Sequence, residues 1–405
     1  MSNKKIIEIG PLTGVRVLDL TTVVMGPFCT QILAELGAEV IKVESHDGDT
    51  IRHVEPKKNP GMGYMFLSLN RGKRSLVLDL KSKKGREVVS KLLGSVDVLI
   101  YNIRPEAMTR LGLSYENVKK ENSKILYVGC YGYSQKGPYA KKPAYDDLIQ
   151  GISGMPWLFT QMGANPTYTP VNMADRLTGL HAVYAVTAGL FRREKTGLGE
   201  SIEVPMFESV AHFILGDHLA GHSYEPRDSA SFYRRALARR PYVTSDGYIC
   251  VLVYNDKQWR SFSKIINQPD LMEDKRFSSQ ENRQVNIEEV YEFLDGVFKT
   301  RTTSEWVSDL EAGDIPVARM NSVGDVVDDP HLQATGFFKI ETHPTEGAVR
   351  GMKSPTNWSI HHVSDLRPAP KHGEHTVEIL EEIGFSKSEI TELEKESVVK
   401  TDLKD

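Results

Sequence analysis

Cysteine is scarce in this 405-residue chain, which has only Cys29, Cys130 and Cys250, far apart and set among apolar neighbours. An odd, dispersed set argues against a disulfide framework or a cysteine-built metal site and reads as reduced core thiols. Long apolar runs are missing too. None could span a bilayer, and the opening Met-Ser-Asn-Lys-Lys is not followed by the apolar stretch of a signal peptide, so the expected location is cytoplasmic, with no membrane partner. Charge of one sign is not in excess: Lys and Arg total 50 against 54 Asp and Glu, a formal net charge of -4. That excludes a globally basic nucleic-acid binder and leaves any anion site local. Glycine is sparse where a nucleotide-binding loop would need it. The turn after the first expected strand, residues 21–27, holds only Gly26, whereas a dinucleotide fingerprint needs three spaced glycines, and no Walker-type loop occurs. No nucleotide redox cofactor is expected. Two histidine pairs, His372 with His375 and His361 with His362, lack a third ligand or a strong helix face, so no metal is expected either.

Short apolar runs alternate with helical patterns along the N-terminal part. Strands are expected at residues 15–20, 40–43, 76–80, 96–101 and 125–129, with helices near residues 26–37, 87–93 and 115–121. That alternation predicts an α/β fold, a parallel sheet covered on both faces. Leu177, Leu180, Tyr184 and Phe191 recur at helical spacing after Asp175 and predict a buried helix ended by Gly197 and Gly199. A strand at 200–206 follows. Residues 220–240 are polar and arginine-rich, as a linker would be, and begin a smaller α+β domain with a strand at 248–253 and helical patterns around Trp259 and at Ile287, Val290, Phe293 and Leu294. The expected division is therefore residues 1–219, 220–330 and 331–405, the last segment returning to the large domain with a strand near 337–340 and a helix near 377–383.

Six collinear stretches resemble the class III coenzyme A transferases, a family that includes formyl-CoA transferase and carnitine CoA-transferase. They are GVRVLD from Gly14, Gly26-Pro27, LGAEVIKVE from Leu36, KRSLVLDL from Lys73, DRLTG from Asp175 and GEHT from Gly373. The resemblance covers nearly the whole chain. It implies a Rossmann-like large domain, a smaller domain between its two segments, and an interlocked, ring-like homodimer. Its substrates would be an acyl-CoA and a small carboxylic acid, so coenzyme A enters as substrate.

On local pattern, Asp175 precedes an apolar helix and reads as an N-cap. The resemblance makes it instead the nucleophile that attacks the thioester, passing through mixed-anhydride and aspartyl-CoA thioester intermediates; both roles suit a carboxylate at the positive end of a helix. The same resemblance puts Leu78, Lys81, Asn102, Arg104, Ala107 and Arg110 at the nucleotide end of coenzyme A, and Tyr145 and Asp146 beside the catalytic aspartate. By pattern alone Tyr145 packs on the core and Asp146 starts a helix. A related racemase branch, which epimerises 2-methylacyl-CoA, carries histidine where Tyr145 stands; without that acid/base partner, racemisation is the alternative reading. Two departures from the family matter. A glycine run of some transferases is replaced by RRALARRP from Arg234, whose arginines either recognise a second carboxylate or line an interface, and Val24 stands where formyl-CoA transferase has glutamine, which argues against an oxalate enzyme. Chain length and C-terminal sequence lean towards a carnitine-type acid, for which Trp157, Phe159 and Tyr168 offer aromatic faces or else are core.

Overall fold

A computed structural model describes residues 10–227, 238–359 and 366–401. The chain divides into two compact units, residues 1–155, 168–213 and 336–405 in one, and residues 156–167 and 214–335 in the other.

The first unit is built on a seven-stranded sheet. Its strands are β1 (Arg16–Leu20), β2 (Glu39–Glu44), β3 (Lys73–Leu78), β4 (Val98–Tyr101), β5 (Leu126–Tyr131) and β6 (Glu200–Pro205), with a short edge strand at Val399–Lys400. The order is edge strand, β3, β2, β1, β4, β5, β6; all pairings are parallel except that of the edge strand with β3. The strand order reverses direction between β1 and β4, which makes the crevice at their carboxyl ends the expected ligand site of such a sheet. Crossover segments carry helices α1 (Met25–Glu35), α2 (Tyr64–Leu69), α3 (Lys83–Leu93), α4 (Pro105–Arg110), α5 (Tyr115–Glu121), α6 (Asp146–Ile152) and α8 (Met173–Thr196), and α9 (Met206–His218) starts after β6, whereas α7 (Met155–Gln161) belongs, past its first residue, to the second unit. The C-terminal helix Thr376–Glu382 buries Ile379 and Leu380 in the same core as β3 and α3.

The expected start of the third strand at residue 76 is corrected to Lys73. Lys73, Arg74 and Ser75 look like surface residues but are buried, because Asp19 faces Lys73, Glu39 and Glu382 face Arg74, and Glu44 accepts from Ser75 Oγ. The buried face of α8 also differs from expectation. Its packed stripe is small, with Ala174, Thr178, Gly179, Ala182, Val186, Gly189 and Leu190, while Leu180, Tyr184 and Phe191 are 49, 60 and 64% exposed. Small residues win because the helix lies close against its neighbours: a Cβ on Gly179 would stand 2.8 Å from Met25 O on α1, and one on Gly189 would stand 2.9 Å from Leu126 on β5.

The second unit holds a three-stranded antiparallel sheet of Tyr242–Val243, Tyr248–Val251 and Val317–Arg319, with helices at Asp256–Ile265, Ile287–Phe298 and Thr303–Ala312. Its core is aromatic, including Trp259, Phe262, Phe277, Phe298 and Trp306, and both buried indoles donate to backbone carbonyls, Val253 O at 3.0 Å and Phe298 O at 2.8 Å. Cys250 corrects the expectation of three core thiols: it points outward between the inward Ile249 and half-buried Val251, whereas Cys29 and Cys130 are buried. Of the arginine-rich stretch, 234–237 lie outside the described residues; Arg240 pairs with Asp295 within this unit. His361 and His362 also lie outside them.

Candidate active site

Two helices begin at the carboxyl edge of the sheet near the switch point. Both α1, which follows β1, and α8, which precedes β6, run back against the parallel strands, so their N-termini lie at that edge. Gly179 brings α8 onto the first turn of α1, and the Arg176 guanidinium lies 5.0 Å from the Phe28 ring centre. Asp175, one turn before Gly179, therefore stands beside the start of α1.

Asp175 is the third residue of its helix rather than its cap. The N-cap is Asn172, because the apolar packing of α8 starts earlier than the sequence pattern indicates, with the buried Ala174. Its backbone N–H donates to Asp146 Oδ1 at 2.9 Å. Asp146 opens α6, and its other oxygen accepts from the buried Gln150 amide at 2.6 Å; Gln150 Oε1 in turn accepts from Thr169 N and Oγ1, both at 2.9 Å. A chain of hydrogen bonds thus fixes the segment leading into α8. Burial, then the neighbouring Asp146 carboxylate, push the Asp175 carboxyl up to about 7, against the lowering effects of an Asn172 hydrogen bond and the Arg176 charge. Tyr145 is the extended N-cap residue of α6 and is 72% exposed, so it does not pack on the core; extended backbone at the cap turns its ring outward.

The turn from β1 into α1 is held on every side. Thr21 N donates to Asp19 Oδ1 at 2.9 Å, and Thr21 O accepts from Lys42 Nζ at 2.8 Å. Asn102, just past β4, accepts from Thr22 N at 3.0 Å and donates to Thr22 O at 2.8 Å. Val23 N donates to Asp49, whose carboxylate also meets Lys42 Nζ at 2.9 Å. Val23 itself has φ of 68°, a left-handed backbone that β-branched residues avoid, at a cost of about 1–3 kcal/mol. Beneath lie fully buried charges. Burial lowers Lys73 to about 8, while at Asp19 burial opposes ionisation but Lys73 and Lys42 outweigh it and hold the carboxyl below its usual range.

Residues 12–376 match the family described as CoA-transferase family III. The chain is a member of this family. The transferase is 32% identical over 381 residues to human succinyl-CoA:glutarate CoA-transferase, covering 93% of this chain and 86% of the human protein. It is 30% identical to the succinate–glutarate CoA-transferase of Agrobacterium fabrum, over 92% and 96% of the two chains. Among solved structures, Rv3272 of Mycobacterium tuberculosis superposes with a TM-score of 0.81 at 29% identity, over 92% of this chain and 99% of that one. Formation or use of acyl-CoA thioesters is the family's chemistry, and the transferase is a class III CoA-transferase.

The residues expected to meet coenzyme A lie at or after the carboxyl ends of β3 and β4 in the transferase. Lys81, Arg104 and Arg110 are exposed and Ala107 half-buried. Leu78 is 1% exposed, its side chain part of the core, which leaves its backbone for any contact. Asn102 has both amide atoms committed to Thr22. Sequence reasoning missed Gln150, although its spacing of four from Asp146 on a helix was a usable signal, and missed Asp49, for which no local pattern exists. His372 Nε2 lies 2.9 Å from Ser45 O, and His375 Nδ1 accepts from Ser75 N at 3.3 Å. Among the described residues no group of three or more His, Cys, Asp or Glu is placed to hold a metal ion, and no helix is long and apolar enough to cross a membrane.

Proposed function

We propose that Asp175 is the carboxylate through which this transferase moves coenzyme A from an acyl-CoA to a small carboxylic acid. The observation that carries the reading is a half-buried aspartate in the first turn of α8, framed through its backbone by Asp146 and raised to about 7. A partly desolvated carboxylate is a stronger nucleophile than a hydrated one, and the helix N-terminus still favours its charge. In the first step an Asp175 oxygen attacks the thioester carbonyl, the C–S bond breaks, and a mixed anhydride and CoA thiolate result. Thiolate attack on the Asp175 carbonyl then expels the donor acid and leaves an aspartyl-CoA thioester. The acceptor carboxylate attacks that thioester and expels thiolate. Attack of thiolate on the acceptor's carbonyl completes the exchange and restores Asp175. One thioester is consumed and one formed, so no ATP is needed.

The names of the relatives favour a short dicarboxylic acid as acceptor over the carnitine-type acid, and a screen of paired donors and acids ranks the two. Arg110, Arg104 and Lys81 suit the phosphates of coenzyme A, with Leu78, Asn102 and Ala107 nearby. Tyr145 stands beside the reaction centre. A homodimer, in the interlocked form that the resemblance implies, accounts for the exposed Leu180, Tyr184 and Phe191 on α8; sedimentation of the full chain tests it. The mechanism is tested by mass spectrometry of chain treated with acyl-CoA and then hydroxylamine or borohydride. The Asp175 peptide is expected to carry the hydroxamate formed as hydroxylamine expels CoA from the aspartyl thioester, or the side-chain alcohol formed as borohydride reduces that thioester with release of CoA. An unmodified peptide together with full activity of Asp175→Ala would overturn the reading.

A further inference from the structure

We propose that Asn102 is a positioning residue that keeps the strained Thr22–Val23 turn in its reactive shape, acting on the reaction through that turn rather than through coenzyme A. This rests on the transfer chemistry proposed above.

The two carboxyl ends that flank the switch point are those of β1 and β4, and Asn102 bridges them. Its amide grips both polar groups of Thr22, donor to acceptor and acceptor to donor, at 2.8 and 3.0 Å. Only a carboxamide can do this with one side chain: aspartate lacks the donor and serine the reach. Next along the chain, Val23 sits at φ 68°. Valine leaves that region unless its neighbours forbid it, and the forbidding contacts are the Asn102 grip on one side and the Asp49 carboxylate on Val23 N on the other. Asp49 is itself fixed by Lys42, which also holds Thr21 O. Release of the grip lets the Val23 peptide turn towards negative φ, and this turn leads straight into Met25, the residue that Gly179 of the Asp175 helix packs against. Strain held by several convergent side chains, the half-buried Asn102 and the buried Asp49 and Lys42, at the edge where the thioester must lie, is what preorganisation of a reaction centre looks like.

The competing role, a contact with the coenzyme itself, makes a different kinetic forecast. Steady-state CoA transfer by the full chain separates the two. Asn102→Ala is expected to lower kcat about 10- to 100-fold, the effect of a misplacement near 1 Å, while KM for acyl-CoA stays within about twofold. Adding Val23→Gly is expected to recover at least about tenfold of the loss, because glycine adopts positive φ without strain and no longer needs the grip. A raised KM with unchanged kcat overturns the inference, as does a double variant no faster than Asn102→Ala. Should Asn102→Ala fail to fold, the double variant is compared with Val23→Gly alone: equal kcat supports the inference, and a further fall of about tenfold overturns it. A wild-type chain that moves no CoA among any acid pair overturns the proposed function and this inference together, whereas wild-type turnover with a KM-only variant overturns the inference alone.

Discussion

Replacing Asp146 by asparagine removes the charge that faces Asp175 while keeping a side-chain oxygen for the Asp175 N–H. Burial is the largest cause raising Asp175 and the Asp146 charge the second. Two carboxylates roughly 6 Å apart at an effective dielectric near 20 repel by about 3 kcal/mol, or about two pKa units, which sets an upper limit on the effect. Since burial remains, Asp146→Asn is expected to lower Asp175 by about one to two units, from about 7 to between about 5 and 6. Asparagine offers only one oxygen, so Gln150 loses an acceptor at a cost of about 1 kcal/mol, which the fold tolerates. In the proposed mechanism Asp175 attacks as its carboxylate, so the acid limb of kcat/KM against pH should have its midpoint near 7 in the parent chain and move down by the same one to two units in the variant. An acid limb that stays in place or moves upward would refute the electrostatic account. Stability carries the opposite sign. The folded chain keeps the Asp175 proton above its ordinary value of 3.8, so the unfolded chain binds fewer protons between about 4 and 7, and stability falls as pH rises through that window. Asp175→Asn should flatten this slope in denaturation measured at stepped pH.

Gly179→Ala puts a Cβ 2.8 Å from Met25 O and 3.0 Å from Phe28, so α1 and α8 must separate; chemical denaturation is expected to register a loss of about 1–3 kcal/mol. Lys73→Met leaves Asp19 buried without its nearest cation, 3.2 Å away, and is expected to cost about 3–5 kcal/mol in the same measurement. Arg110→Ala is expected to raise KM for acyl-CoA about 10- to 100-fold, the worth of a charge-assisted contact, yet to leave KM for a 3'-dephospho-CoA donor nearly unchanged if this arginine meets the 3'-phosphate.

The parallel sheet was legible because strands buried on both faces read as short apolar runs between turn residues, as at β1, β4 and β5. Legibility failed where burial and polarity part company. Lys73, Arg74 and Ser75 read as surface because their partners, Asp19, Glu39, Glu382 and Glu44, come from distant stretches. On α8 the large apolar residues set the visible period, but contact distance favours the small ones, and so the packed face was assigned to the wrong side. Residues 156–167 join the second unit with no compositional sign of doing so. At the candidate site, the resemblance supplied Asp175, Tyr145 and Asp146, and the helical spacing of Gln150 would have supplied the next link.

The remaining link had no signal at all, and the reason is physical. A strained backbone angle is a property of the surroundings that enforce it, and valine carries no mark of being held at φ 68°. The enforcing residues are Asn102, Asp49 and Lys42, drawn from the ends of β4, the loop after β2, and β2 itself. They converge only once the strand order places β1 between β2 and β4. A sequence pattern reports what a segment does by itself or with neighbours at a fixed period; a grip assembled from three separate stretches of chain has no period. The same topology that hides it also makes it effective, since side chains anchored in a parallel sheet move little and can hold a turn against its own preference. Where such a turn meets the helix that bears Asp175, rigidity of the sheet becomes rigidity of the surroundings of Asp175, and with Asp175 in the role proposed for it, variants of Asn102 should act on turnover before they act on binding.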